Sequence, residues 1–410
     1  MTPQPTVLIL GSGQAGFQAA VSLRDLNFGG RIILLGDEPC LPYYRPPLSK
    51  AFLFSGGGAS EIALRPSTFY EKRNIELRHG TAVHIDRGRR VVTLGTGDQL
   101  AYDHLVLALG ARNRVLRLPG ADLPGVHQLR TQADAERLRS ALDSASSVAS
   151  VGAGFIGMEI LSAAAKLGKQ TAVIDPRDRP LARALSVHSS QHFARLHNDH
   201  GTRMYLRQQC VAFHGDTSVD YIELRDGTTV EADLVVIGVG VEPNSELAER
   251  AGLAVADGIL VDQFLQTSDP AVFAIGDCAR FPAGALGRMM VRLESVQNAV
   301  DQARSVAERI MGSTDPFGAV PWFWSEQFGT KLQIAGLSTG YDVAVPLGDP
   351  ESSTFSILLF RNGRLICVES INRPVDHMSA RRLLAGHACL SPEAAQQGGF
   401  DLKTFVQAAA

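Results

Sequence analysis

Cysteine is scarce in this chain. There are five in 410 residues (Cys40, Cys210, Cys278, Cys367 and Cys389), and none stands in a C-x-x-C pair. That scatter provides neither a zinc cage nor a disulfide framework, so no metal site is expected. Charge of one sign is lacking too: a formal net charge of −3 gives no electrostatic reason to expect nucleic acid or an acidic membrane as partner. No uninterrupted apolar run is long enough to span a bilayer, so no membrane partner is expected. The first strand-like run begins near Thr6, which leaves no room for a secretory leader. With so few cysteines, a reduced cytoplasmic setting is the expectation.

The hydrophobic share of 45% and charged share of 20% are those of an ordinary globular chain, long enough for two or three cores. Two glycine-rich turns stand out against this background, Gly11-Ser12-Gly13-Gln14-Ala15-Gly16 and Gly152-Ala153-Gly154-Phe155-Ile156-Gly157. Each follows an apolar run that reads as a strand (Val7 to Leu10, Val148 to Val151), and each opens an alanine-rich stretch with helical spacing. In that setting the glycines permit a tight turn and a close approach of backbone to a pyrophosphate. The helix N-terminus offers unpaired amides and partial positive charge to the phosphates. One such motif is a weak signal. Two on one polypeptide predict two dinucleotides, which suits a chain in which one reduces the other.

The first segment reads strand, turn, helix (about Ala15 to Leu26) and strand (Arg31 to Leu35), then a proline-rich loop from Pro39 to Ser49 and a surface excursion at Gly56-Gly57-Gly58. Short strands follow at Glu76 to Arg78, Ala82 to Asp86 and Arg90 to Leu94, and a buried strand over His104 to Leu109 ends at Gly110. A second unit starts with a helix over Thr131 to Ser144, contains the second turn and a strand Gln170 to Ile174, and closes with Leu234 to Val239. The chain then returns to the first domain through a strand Val272 to Asp277 and a helix from about Ser295 to Met311. From about Pro321 it alternates like a small antiparallel sheet (Lys331 to Leu337, Thr354 to Phe360, Leu365 to Ile371) with a C-terminal helix.

In a dinucleotide fold, an acidic residue ending the second strand receives the adenosine ribose hydroxyls. Asp37 and Asp175 are the candidates after the first and second turns. A carboxylate at Asp175 would repel a 2′-phosphate, predicting a preference for NADH over NADPH, which Arg177 and Arg179 nearby soften. The stretch Arg45-Pro46-Pro47-Leu48-Ser49-Lys50 presents Lys50 from a chain stiffened by adjacent prolines. A lysine so held can stabilise charge on a reduced flavin, or it can be a solvated lysine on a rigid surface loop.

Several stretches together resemble the putidaredoxin reductase group of oxygenase-coupled NADH–ferredoxin reductases. They are Gly36-Asp37-Glu38, Arg45 to Lys50, Thr267-Ser268-Asp269-Pro270, Gly276 to Phe281, Glu294-Ser295-Val296, Pro321-Trp322-Phe323-Trp324-Ser325 and Asn372-Arg373-Pro374-Val375. The resemblance runs over nearly the whole chain. It implies an α/β fold of two Rossmann-like dinucleotide-binding domains plus a C-terminal α+β interface domain. The expected division is an FAD-binding domain at 1–113 and 246–320, an NAD-binding domain at 114–245, and an interface domain at 321–410.

Carried over position by position, the resemblance implies FAD contacts at Ala15, Asp37, Lys50, Val83, Arg130, Asp277 and Val296, beside the Gly11, Gly13 and Gly16 of the first glycine turn. For NADH it implies contacts at Gly152, Gly154, Ile156, Gly157, Glu159 and Asp175. Val296, at a helix start, would aim an amide at the flavin's pyrimidine edge, whereas Val83 by itself reads as a plain strand residue. Glu159 is implied to pair with Lys50 near where nicotinamide stacks on flavin; alternatively it is a helix-start carboxylate favoured by the dipole. Trp324 is implied to lie beside the isoalloxazine; the alternative makes Trp322, Phe323 and Trp324 an aromatic core stretch. Lys50, Glu159 and Trp324 form the expected catalytic set. Relatives usually carry Ala-Thr-Gly where this chain has Ala108-Leu109-Gly110, which removes a hydroxyl from the domain crossover.

The expected activity is hydride transfer from NADH to FAD, then single electrons to a 2Fe-2S ferredoxin that feeds a Rieske dioxygenase or a haem-thiolate monooxygenase. The chain is expected as a monomer or homodimer; basic residues such as Arg65, Arg73, Arg304 and Arg309 either serve a docking surface or are simply solvated. Two other readings stay open here. One is an NADH peroxidase using Cys40, which precedes the proline loop instead of opening a helix that would activate it. The other is an NADH-binding signalling flavoprotein like apoptosis-inducing factor, against which the short chain without a targeting extension argues.

Overall fold

The Thr6–Leu10 segment is apolar at Val7 to Leu10, and these four side chains are almost wholly buried. Such a run suits a central strand covered on both faces, and it becomes the middle of a parallel sheet. Its neighbours are Arg31–Gly36 and His104–Leu107, with Ile75–His79 and Val272–Ala274 at the flanks. The computed structural model describes residues 4–53, 58–283, 289–386 and 389–408. Gly56 and Gly57 of the expected surface excursion lie outside these; Gly58 precedes the short helix Ala59–Ile62.

The chain forms two compact units, one of residues 1–44, 57–112 and 241–319, the other of residues 45–56, 113–240 and 320–410. The first holds the sheet just described, the first glycine turn with its helix Gln14–Asp25, a small antiparallel meander (Ala82–Asp86, Val91–Leu94, Gln99–Ala101) and the helix Val296–Ile310.

The second unit repeats the parallel design. Ser147–Val151 is central, between Gln170–Asp175 and Leu234–Ile237, with Thr202–Leu206 and Val126–His127 at the edges. A buried cluster including Val151, Ile174, Phe213, Ile222 and Val235 joins this sheet to a three-stranded meander, Cys210–His214, Tyr221–Leu224 and Thr229–Glu231. The same unit carries an antiparallel sheet in the order Trp322–Gln327, Thr330–Gly336, Arg364–Ile371, Phe355–Arg361, Val343–Leu347. Its apolar face packs Leu358, Phe360 and Val368 against Ala380 and Leu383 of the helix Pro374–Ala385.

Three local expectations are corrected. The strand expected over Val272 to Asp277 stops at Ala274, because Gly276 adopts φ +74° and a 3-10 turn Gly276–Cys278 follows. The strand expected to Leu109 stops at Leu107. Within the proline loop, Pro46–Ser49 is a 3-10 turn whose prolines occupy its first positions, where a fixed φ and a missing N–H cost least.

Candidate functional site

Both glycine turns are built alike, and each glycine's surroundings tell what it is for. At Gly11 (φ +105°) a Cβ would lie 2.1 Å from the Ala108 carbonyl, and at Gly16 one would lie 1.9 Å from the Gly11 carbonyl. At Gly152 (φ +109°) it would meet the Gly238 carbonyl at 2.4 Å, and at Gly157 the Ser150 hydroxyl at 2.2 Å. These four let strand, turn and helix touch. The middle glycines differ. A Cβ at Gly13 would meet nothing within 4 Å, and at Gly154 only the Gly238 carbonyl at 3.8 Å.

Gly13 and Gly154 are also the N-caps of Gln14–Asp25 and Phe155–Lys166, and neither helix has a side-chain cap. Each therefore presents unpaired amides and the positive end of its dipole to open space, which fits a pyrophosphate. In the first unit the buried Gln302 accepts from the Gly276 amide (2.7 Å) through Oε1, while its Nε2 is buried without a partner. Ala15 packs close to Gly276, 3.1 Å from where a Cβ there would stand.

The remaining expected first-unit contacts are placed as follows. Asp37 follows the strand Arg31–Gly36 and is exposed. Asp277 lies in the 3-10 turn, where its carbonyl accepts from Arg292. Val296 is the first residue of the helix Val296–Ile310, behind the capping hydroxyl of Ser295. Val83 is 43% exposed on its strand. At the crossover, Asn244 Nδ2 donates to the Leu109 carbonyl (2.8 Å), and the Asn244 amide donates to the Gly110 carbonyl (3.0 Å). The backbone that a threonine would serve is thus held by an asparagine that sequence reasoning missed.

In the second unit Asp175 ends its strand as expected but is buried. Its two oxygens accept from the Ala153 amide of the glycine turn and from the Arg177 amide, both at 2.8 Å. The carboxylate braces the turn and fixes a negative charge beside it. Arg179, read from sequence as a softening cation, spends its guanidinium on the carbonyls of Ala182, Leu185 and Ser186. Ile156 is 44% exposed in the first turn of its helix. The Arg130 amide donates to Asp134, and its carbonyl accepts from Arg45.

Lys50 closes the 3-10 turn, and its ammonium lies 2.8 Å from Glu159 Oε1. Glu159 sits one turn into Phe155–Lys166 and is almost wholly buried. It is therefore past the orphan amides of the helix start, and its partners are side chains: Lys50 and Ser325 on Oε1, Ser49 on Oε2. Ser49 and Ser325 were not singled out from the sequence. The local signal for Ser49 was its place between the prolines and Lys50; for Ser325 there was only the aromatic strand ahead of it.

Trp324 lies on Trp322–Gln327, 5.5 Å between ring centroids from Trp322. Trp322, Phe323 and Trp324 are all half-buried. Phe323 packs on Phe155 at the start of the second-turn helix (4.6 Å).

Three of the five cysteines, Cys210, Cys278 and Cys367, are buried. Burial pushes the Cys210 and Cys278 thiols up to about 11 and raises that of Cys367 well above its ordinary value. Among the described residues no group of three or more His, Cys, Asp or Glu side chains could hold a metal ion, and no helix is long and apolar enough to cross a membrane.

Known proteins share this architecture. The family described as pyridine nucleotide-disulphide oxidoreductase matches residues 5–303, and the domain described as Reductase C-terminal matches 322–406. Rhodocoxin reductase of Rhodococcus erythropolis is 49% identical over 401 residues, 97% of this chain and 93% of that protein. The crystallised ferredoxin reductase for the CYP199A2 system from Rhodopseudomonas palustris is 45% identical with a TM-score of 0.95, covering 98% of this chain and 100% of that one. Putidaredoxin reductase in its covalent complex with putidaredoxin is 35% identical with a TM-score of 0.95, covering 100% and 99%. With two open glycine cradles, an antiparallel C-terminal sheet and likeness from end to end, the chain belongs to the pyridine nucleotide-disulphide oxidoreductases, and among them to the family of rhodocoxin and putidaredoxin reductases.

Proposed function

We propose that this chain is an FAD-dependent NADH:ferredoxin oxidoreductase that supplies an oxygenase. The observation that carries the reading is the pair of helix N-termini on one polypeptide, at Gly13 and Gly154, each without a side-chain cap and with room for a Cβ at the cap. Likeness over the full chain to reductases whose names specify rhodocoxin, putidaredoxin and ferredoxin supports the electron acceptor.

FAD, held by the first turn, would supply the change from a two-electron donor to one-electron carriers. Residues 1–113 and 246–320 form its domain in this reading, 114–245 the NADH domain and 321–410 the interface domain. Gly11, Gly13, Ala15 and Gly16 receive the FAD pyrophosphate, and Asp37 the adenosine ribose. Asp277 and Val296 offer a carboxylate and an amide, and Val83 and Arg130 complete the proposed set. On the second turn Gly152, Gly154, Ile156 and Gly157 seat the NADH pyrophosphate. Asp175, oriented by two backbone amides, disfavours a 2′-phosphate by charge repulsion. The buried Glu159 holds the Lys50 ammonium at a fixed point, so that charge is already oriented when nicotinamide arrives. Trp324 is proposed beside the electron's exit. A 2Fe-2S ferredoxin, a monomeric or homodimeric enzyme and a cytoplasmic setting complete the proposal.

Anaerobic stopped-flow mixing of the yellow protein with NADH, then with a 2Fe-2S ferredoxin, tests it. Fast flavin bleaching followed by iron–sulfur reduction is expected. Slow bleaching into a persistent long-wavelength band, with no electrons passed on, would favour a signalling flavoprotein instead.

A further inference from the structure

Glu159 is the inner end of a buried hydrogen-bonded chain that none of the expected roles uses. Ser325 Oγ donates to Glu159 Oε1 (2.7 Å), and Gln327 Nε2 donates to that same Ser325 Oγ (3.3 Å). Gln327 Oε1 meets His197 Nε2 at 2.9 Å, and His197 Nδ1 meets the Thr202 hydroxyl at 3.5 Å. Ser49 Oγ donates to the other carboxylate oxygen at 2.6 Å. Ser49, Ser325, Gln327 and His197 are all at or below 2% exposure.

The carboxylate fixes the sense of every bond. An ionised carboxylate only accepts, so Ser325 must donate to it and use a lone pair for the Gln327 amide. The Gln327 oxygen is then left to accept, so His197 carries its proton on Nε2 and accepts at Nδ1. His197 is neutral, burial pushing it down to about 4, as that tautomer requires. Proton transfer along the chain is blocked at Gln327, whose amide has no proton to pass at ordinary pH. The chain orients; it does not conduct. Lys50, by contrast, is 28% exposed, and its ammonium pairs with Glu159. Left to Lys50 alone, the Glu159 carboxylate could rotate with it; Ser49 and Ser325 each bond one of its oxygens, and Gln327 holds Ser325 in turn.

We propose that Ser49, Ser325 and Gln327 are positioning residues that hold Glu159 in the rotamer in which it pairs with Lys50. The inference rests on the reading of Glu159 and Lys50 as part of the nicotinamide site. Networks of this kind, which orient a charged group through its second partners, affect function through that group alone.

The test uses the FAD-loaded protein and four variants: Ser325→Ala, Ser325→Thr, Glu159→Gln and the double variant Glu159→Gln/Ser325→Ala. Two quantities are read. One is the rate constant of flavin reduction at saturating NADH, beside KM for NADH. The other, independent of turnover, is the rate at which trinitrobenzenesulfonate labels Lys50, located by peptide mass spectrometry. In Ser325→Ala, flavin reduction should slow by about tenfold, the ratio one charge-assisted hydrogen bond commonly carries. Lys50 labelling should rise toward its rate in Glu159→Gln, because an ammonium less firmly paired with Glu159 gives up its proton more readily and only the free amine attacks the reagent. Ser325→Thr keeps the hydroxyl and should restore the slow labelling. In the Glu159→Gln background, Ser325→Ala should add little to either reading.

Full additivity in the double variant, or unchanged Lys50 labelling in Ser325→Ala, would overturn the inference and leave the site reading standing. Normal reduction by NADH in Glu159→Gln would overturn the site reading and the inference with it. Should Ser325→Ala fail to fold, Ser49→Ala, on a different segment and the other carboxylate oxygen, is subject to the same expectations.

Discussion

Burial holds the His197 imidazole neutral, pushing it down to about 4 from the ordinary 6.5, against the opposing hydrogen bond to Gln327. Between those two values the unfolded chain binds a proton that the folded chain refuses. Stability from this group is complete above about 6.5 and is lost as pH falls toward 4, at up to about 1.4 kcal/mol per pH unit. His377, lowered to about 4 by burial and by Arg381, acts in the same sense. Glu369, whose carboxyl burial raises, acts in the opposite one. The measurement that isolates His197 is therefore a comparison, not a single curve. Urea unfolding of the parent and His197→Gln at pH 7.5 and 5.5 should show the variant less stable at the higher pH but with a shallower loss on acidification. Equal slopes in the two proteins would mean that His197 is protonated in the folded state as readily as in the unfolded one.

At the scale of elements, one buried carboxylate fixes the start of a helix. The helix Val187–Asp199 has Ser186 as its N-cap, and both the Ser186 amide and its hydroxyl donate to the fully buried Glu369 on Arg364–Ile371. Removing the acceptor strands two buried donors. Glu369→Ala should cost about 3 kcal/mol and Glu369→Gln less, since the amide retains an oxygen. Hydrogen exchange at the first amides of Val187–Asp199 should quicken selectively in Glu369→Ala; uniform quickening along the unit would refute a cap-specific role.

Elements differ in how far the sequence revealed them. The two glycine turns were legible because strand, turn and helix lie within about twenty residues of chain and the glycines' need is local. The edge strand Val343–Leu347 was not, because Pro346 lacks the N–H of a strand interior and is tolerated only where one side is unpaired. The meander from Cys210 to Glu231 carried a signal, Asp226-Gly227 between alternating apolar residues, with Gly227 at φ +85°. The Lys50–Glu159 pair was readable only through family resemblance, and its supporting hydroxyls not even so. Ser49 lies 110 and Ser325 lies 166 residues from Glu159 in sequence, and no local pattern announces a partner at that range.

For the whole molecule, the point of two cradles on one chain is that each can be closed without the other. Gly13 and Gly154 are the positions for that experiment. Both have extended backbone with φ near −70° to −80°, which alanine adopts freely, and neither Cβ would strike protein. The neighbouring Gly16 and Gly157 would instead drive a Cβ into backbone or a buried hydroxyl and damage the fold itself. A methyl group at Gly13 or Gly154 would intrude on the proposed phosphate positions, and overpacking of that size costs about 1–3 kcal/mol, or about tenfold and more in affinity. Gly13→Ala should therefore purify with little or no flavin while its FAD-free form melts like that of the parent. Gly154→Ala should stay yellow with full flavin content and be reduced normally by dithionite, yet show a KM for NADH raised by about tenfold. If Gly154→Ala loses flavin, or Gly13→Ala keeps it while NADH binding fails, the assignment of one dinucleotide to each turn is wrong. If both lose both ligands together, the two cradles are coupled through the fold and do not act as separate seats.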